Sequence, residues 1–243
     1  MNELKTVGIV TRTTDFREYD RMVTILTPDR GRIDLCLKGC RRPKAKLRPA
    51  GQVFCFADFE LTEHRPGNYI MVGCSVRDSF FDLATDLEKL DAAGKLCRIM
   101  NAFFDGLMEN RAELFSLMLA ALSVIAYAPR VRPREVLLLT VIRTMSVTGY
   151  EPMMDYCVEC GRPVESGEAV FHPELGGVLC DSCAPGHTGG IRISAGAAST
   201  LRMTAQLPND KLATFHFSES VREELTKVMT RFLEERLEQH ISL

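Results

Sequence analysis

The chain reads as an α+β protein: a small five-stranded barrel at the N-terminus, then a helical region with a four-cysteine module embedded in it. Three observations predict this. Residues 4–76 break into short apolar segments separated by turn residues. From Asp82 the apolar period changes to that of a helix. Two C-x-x-C pairs, Cys157-Val-Glu-Cys160 and Cys180-Asp-Ser-Cys183, then interrupt the helical pattern. At 243 residues, 46% hydrophobic and 26% charged, the chain is large enough to bury a core and has ordinary globular composition. The expected divisions are a barrel over 1–80, a first helical part over 81–150, a cysteine module over 151–190 and a second helical part over 191–243.

In the first division Val7, Ile9 and Val10 open a strand ahead of a threonine-rich stretch, and Met22 to Thr27 forms a second. Thr27-Pro28-Asp29-Arg30 has turn chemistry, with proline at the second position and Gly31 just beyond. Arg32 to Leu37 alternates at its start, the period of a half-buried strand. Val53 to Leu61 is the fourth segment, and after the His64 to Asn68 turn Tyr69 to Val72 is the fifth. Five short strands in so short a span predict a barrel of the oligonucleotide-binding (OB) type.

Leu83, Leu87 and Leu90 then fall at i, i+4 and i+7, the spacing of one helix face. Asp82, Asp86 and Asp91 read as its solvated side. Helical runs follow at 95–108, 112–128 and 134–149. The last opens on Arg132-Pro133, with proline tolerated in the first turn, and closes at Gly149. Because it is apolar nearly all round, it is expected to be central. Ser220-Val221-Arg222-Glu223 has the form of a capping box. Val221, Leu225, Val228, Phe232 and Leu237 mark the inner face of a final helix.

The two cysteine pairs are separated by 19 residues, Gly161 to Leu179, which suits a tetrahedral zinc site with Cys157, Cys160, Cys180 and Cys183 as ligands. Gly161 and Gly176-Gly177 are expected to let the backbone curl around the ion. A closed set of four thiolates leaves no position for substrate, so the zinc reads as structural. An odd total of nine cysteines argues against a disulfide framework. Met1 to Lys5 carries an acid early, and Val7 to Val10 is too short for the apolar core of a signal peptide. The longest apolar stretch, 117–128, falls short of the ~20 residues a bilayer span needs. These readings point to the cytoplasm and to no membrane partner. Cys36, Cys40, Cys55, Cys74 and Cys97 read as small buried hydrophobes, although Lys38, Arg41 and Arg42 beside Cys40 could make that thiol reactive.

Charge is unevenly spread. The net −2 conceals +4 over residues 1–80 and −6 over 151–190. A zinc unit that grips nucleic acid is normally basic, so the cysteine module is a poor candidate for that role. The stretch 38–48 is a better one. Lys38, Arg41, Arg42, Lys44, Lys46 and Arg48 supply six cations in 11 residues with no acid among them. Gly39, Pro43 and Pro49 favour an extended loop. On a barrel rim such a loop can lay cations along a phosphate backbone and release counterions. The alternative is a solvated loop with no partner. Phe16, Tyr19, Phe54, Phe56 and Tyr69 could stack bases, but alternation places several of them in the core.

Enzyme patterns do not fit. His172-Pro173-Glu174 ahead of Cys180 and Cys183 echoes zinc deaminases, yet Leu179 stands where proline is required and a second C-x-x-C competes for the metal. No G-x-S-x-G, Walker loop or G-x-G-x-x-G is present. His172 reads as a loop or supporting residue. His64, His187, His216 and His240 read as scattered.

With these parts in order, the chain resembles the RecO family of bacterial recombination mediators. The residues that carry the likeness are Gly8-Ile9-Val10, Asp20-Arg21, Thr27, Gly31-Arg32, Lys38-Gly39, Arg41-Arg42-Pro43-Lys44, the helical stretch from Leu83, Thr148-Gly149-Tyr150 and the four cysteines. The resemblance implies an OB domain, a helical domain and a zinc module. It implies binding of single- and double-stranded DNA, annealing of complementary strands, and loading of RecA onto DNA covered by single-strand-binding protein. The implied partners are RecR and the acidic C-terminal tail of single-strand-binding protein, for which Arg130, Arg132 and Arg143 at helix ends are candidate contacts. Lys38, Arg41, Arg42, Lys44, Lys46 and Arg48 match the family's basic loop. The family's C-terminal end is usually basic, whereas Glu234-Glu235-Arg236-Leu237-Glu238 is acidic here. The competing reading is a zinc-containing adaptor that binds proteins and no DNA.

Overall fold

The computed structural model describes residues 2–65, 67–105, 109–164, 167–241 and 243. The chain forms two compact units, Met1–Ala126 and Tyr127–Leu243.

The first unit begins with five antiparallel strands: β1 Asn2–Phe16, β2 Asp20–Thr27, β3 Gly31–Leu37, β4 Phe56–Arg65 and β5 Asn68–Asp78. Their order is β3-β2-β1-β4-β5, and β3 and β5 also approach one another, so the sheet curls into a partly open barrel of OB type. The expected strands are all present. β1 and β5 run longer than the apolar segments that announced them, and β4 starts at Phe56 rather than Val53. β1 makes the closure possible. Its first half, Glu3 to Ile9, pairs with β4, and its second half, Ile9 to Phe16, pairs with β2. A bulge between Val10 and Arg12 bends it where the partner changes. Inside lie Val10, Val23, Ile25, Ile33, Leu35, Leu37, Ala57, Phe59 and Leu61. Gly8 is required beside β2, because a Cβ there would lie 2.8 Å from the Leu26 carbonyl oxygen.

Two helices complete this unit, α1 Leu87–Phe104 and α2 Arg111–Tyr127. α1 packs on β1 and β3, and Thr11 donates to the Asn101 side chain at 2.8 Å. The expected Leu83-Leu87-Leu90 stripe does not exist. Phe81–Thr85 is a separate 3-10 turn that buries Leu83, while Leu87 is 85% exposed. Asp86, expected on a solvated face, is the N-cap: its carboxylate accepts from the backbone N–H of Glu88 at 2.8 Å and of Lys89 at 3.2 Å. Helix start chemistry, not an apolar stripe, decides where α1 begins.

The second unit holds α3 Pro133–Val147, α4 Ala195–Thr204 and α5 Glu219–Leu237, which pack against one another. α3 is central, as its all-round apolarity predicts. It is buried along most of its length, and its buried hydroxyls are satisfied within the helix: Thr140 donates to the Val136 carbonyl and Thr144 to the Thr140 carbonyl. α5 buries Leu225, Val228, Met229, Phe232 and Leu233. Its N-cap position is Ser218, two residues before the serine of the expected capping box. Between α3 and α4 lies a three-stranded sheet in the order β7-β6-β8, with β6 Ala169–His172, β7 Gly177–Leu179 and β8 Ile191–Ile193. This sheet positions the cysteines.

Candidate nucleic-acid interface and metal centre

The candidate metal centre is built on β7. Val158 donates to the Val178 carbonyl at 2.9 Å, and Met153 exchanges backbone bonds with Gly176 and Val178, so the first cysteine turn is laced to the strand that leads into the second. Gly177 permits this lacing: a Cβ there would collide with the Met153 carbonyl. Gly176 and Gly177 therefore serve strand pairing rather than the curl expected around an ion. Gly161 does take that part, with φ +71 as the chain leaves the first turn and its N–H donating to the Cys157 carbonyl. The second turn repeats the motif: Cys183 and Ala184 both donate to the Cys180 carbonyl.

These two turns bring Cys157, Cys160, Cys180 and Cys183 together, with all four Sγ atoms within 4.8 Å of one another. Cys160 and Cys180 stand 3.8 Å apart. Zn–S bonds of about 2.3 Å in a tetrahedron place neighbouring sulfurs about 3.8 Å apart, so the donor set fits such an ion. Arg162 donates to Cys160 Sγ at 3.4 Å and pulls that thiol down to about 6. Hydrogen bonding to Cys180, with burial behind it, pushes Cys183 up to about 12.

His172 and His187, unlike the other histidines, come together. His172 is buried, its Nε2 is 2.9 Å from the Thr188 carbonyl, and its ring meets His187 edge-on. His187 reaches Glu159 at 3.4 Å. Together they tie the segment after Cys183 to β6 and to the first cysteine turn. His216 pairs with the buried Glu135, and His240 with Glu234. Of the arginines expected at helix ends, Arg132 occupies the N-cap position of α3 and pairs with Glu135 at 3.0 Å. Arg143 lies within α3 and donates to the Ala205 carbonyl. Arg130 sits just before α3 with φ +53.

The basic loop has a different construction from the extended strap expected. Arg42, Ala45, Arg48 and Gly51 each donate to the carbonyl three residues earlier, those of Gly39, Arg42, Ala45 and Arg48. The loop is thus a staircase of tight turns, closed by the 3-10 turn Pro49–Gly51. Leu47 and Cys40 anchor it in the barrel core. Asp20 accepts from the Gly39 N–H, and Arg41 donates its N–H to the Tyr19 carbonyl. The turns push all six cations outward: Lys38, Arg41, Arg42, Lys44, Lys46 and Arg48 are exposed. Among the described residues, only Arg41 of the six meets a carboxylate, Asp15 at 3.3 Å. Cys40, which its cationic neighbours suggested might be reactive, is 3% exposed, and burial pushes its thiol up.

The aromatics divide. Tyr69 packs on the barrel core, and Phe56 faces Phe115 of α2. Phe16 and Tyr19, at the β1–β2 hairpin, stay about two-fifths exposed, each with an arginine over its ring: Arg17 on Phe16 and Arg42 on Tyr19. Arg41, bonded through its backbone to Tyr19, lines an open cleft of ≈ 220 Å³ with Arg21, Cys40, Arg48 and Gln52. Arg21 and Gln52 were not expected there. In sequence, Arg21 stands out only beside Asp20 in the family likeness, and nothing singles out Gln52.

Comparison with known proteins settles the family. Residues 1–73 match the family model described as Recombination protein O N terminal, and residues 84–242 match Recombination protein O C terminal. The chain belongs to the RecO family. It is similar to the DNA repair protein RecO of Acetivibrio thermocellus, with 35% identity covering 99% of this chain and 94% of that one. The DNA repair proteins RecO of Desulfitobacterium hafniense and Desulforamulus reducens are each 28% identical, covering 96% and 99% of this chain and 85% and 92% of theirs. Among the described residues, no helix of this RecO-family chain is long and apolar enough to cross a membrane.

Proposed function

We propose that this RecO-family protein is a recombination mediator in DNA repair. It binds single- and double-stranded DNA, anneals complementary strands, and helps load RecA onto DNA coated by single-strand-binding protein. The observation that carries this reading is the staircase loop, with six exposed cations and one carboxylate contact among them. Charge of this kind, fixed on a barrel rim, neutralises strand phosphates. Doing so for two strands at once lowers their repulsion enough for bases to search for partners. The task needs no covalent chemistry, so the protein works in the cytoplasm as a DNA-handling factor and not as an enzyme. Lys38, Arg41, Arg42, Lys44, Lys46 and Arg48 contact phosphates. RecR and the tail of single-strand-binding protein are its protein partners.

Cys157, Cys160, Cys180 and Cys183 hold one structural Zn2+. A small unit of three short strands cannot supply a core of its own, and the ion contributes the folding energy. Single-strand titration at several salt concentrations tests the reading. The protein binds oligonucleotides with an affinity that falls steeply with salt. Absence of binding at low salt would instead favour the adaptor reading, which the acidic cysteine module with exposed Met153 and Tyr156 would then serve.

A further inference from the structure

The β1–β2 hairpin and the start of the basic loop meet in a geometry that loop charge alone does not explain. Arg21 is held in place from two sides, donating to the Gly51 carbonyl at 2.6 Å and to Asp15 at 2.8 Å. Its side chain is 27% exposed, so the guanidinium faces the cleft with its orientation fixed. Arg41 shares Asp15 with it. Arg48 and the Gln52 amide complete the wall. Three guanidinium groups line the cleft and leave it positive: Asp15 pairs with Arg21 and Arg41, and Asp20 is turned onto the Gly39 N–H. Arg41, which lines the cleft, donates its backbone N–H to the Tyr19 carbonyl, and the Tyr19 ring is 40% exposed with Arg42 over it.

We propose that this is a nucleotide-sized subsite: one backbone phosphate of a single strand sits among Arg21, Arg41, Arg48 and Gln52, and the adjoining base stacks on Tyr19. The inference rests on the DNA-binding reading above and deepens it. A pre-oriented guanidinium loses little freedom on meeting a phosphate, and paired N–H donors match its oxygens. A base can reach Tyr19 only when it is unstacked from a duplex, so the subsite favours single strands. The loop lysines, by contrast, bind any phosphate backbone.

The test uses the full-length protein and two fluorescent probes of equal length, oligo-dT and an abasic strand with the same phosphates. Tyr19→Leu weakens oligo-dT binding about tenfold, the scale of one base–aromatic stack, and leaves the abasic strand unchanged. Tyr19→Phe keeps the ring and restores oligo-dT binding. Arg48→Gln weakens both probes and lowers the slope of log affinity against log salt by about 0.7, the value of one single-strand phosphate contact. Equal losses on both probes for Tyr19→Leu, no loss on either, or an unchanged salt slope for Arg48→Gln would overturn the subsite while wild-type binding stands. Wild-type protein that binds neither probe would overturn the DNA-binding reading itself.

Discussion

The basic loop and the cysteine module are both turn-rich segments stapled to a small sheet, and they use charge in opposite ways. In the loop, i-to-i+3 turns spend the backbone's polar groups on one another and leave six cations facing outward. In the module, the turns aim four thiols inward to within 4.8 Å, in a segment with a net charge of −6. The loop's unmet charge calls for a polyanion from outside. The module's calls for a small cation within. On the proposed function, the motif that is conspicuous in sequence is the scaffold, and the less regular cluster of lysines and arginines is the working surface.

The largest effect that would sharpen this contrast is in the module. Cys157→Ser or Cys180→Ser should release the metal and melt the second unit's sheet, because structural zinc contributes on the order of 10 kcal/mol of apparent binding energy at neutral pH. Metal analysis and thermal melting read this out. Loss of DNA binding with metal content and melting intact would break the contrast. Next is the loop. Replacing Arg41, Arg42 and Lys44 with alanine should weaken single-strand binding by more than tenfold in low salt and reduce the salt slope by about 2. The melting temperature should barely change, since these side chains are exposed and only Arg41 meets a carboxylate.

A third effect is smaller. Asp86→Ala removes the acceptor for two N–H groups at the start of α1 and should cost about 1 kcal/mol in denaturant unfolding without altering DNA affinity. The smallest is a shift in pH dependence. Arg162 holds the Cys160 thiol down at about 6, so that thiolate persists above this pH and is lost as pH falls through it. Without Arg162 the thiol titrates higher and protons compete with the metal sooner. Arg162→Ala should therefore release zinc at a higher pH than wild type in a chelator titration, with little change at pH 8.

Much of this was legible in the residues. Period-two alternation marked β3, turn chemistry at Pro28 to Gly31 marked the β2–β3 connection, and the cysteine spacing marked the cluster. What misled was local. Leu83, Leu87 and Leu90 have helix spacing, but Asp86 accepts two backbone N–H groups and starts the helix after Leu83, and that bonding is invisible to an apolar pattern. The glycine and prolines of the loop suggested extension, whereas φ values such as +68 at Gly39 and +66 at Lys44 allow repeated tight turns. The cleft was hidden for another reason. Arg21, Arg41 and Gln52 come from a strand, a turn and a loop, and the β2–β3 pairing together with the Arg21 bond to the Gly51 carbonyl makes them neighbours.

On the proposed function, the loop handles DNA and the cysteines do not. One side-by-side titration tests it most directly: oligo-dT binding by wild type, by the Arg41, Arg42 and Lys44 alanine variant, and by Cys180→Ser, at a temperature where the barrel of each remains folded by circular dichroism. The account predicts wild-type affinity for the cysteine variant and a loss of more than tenfold for the loop variant. The reverse pattern, with affinity lost in the cysteine variant and kept in the loop variant, would contradict it.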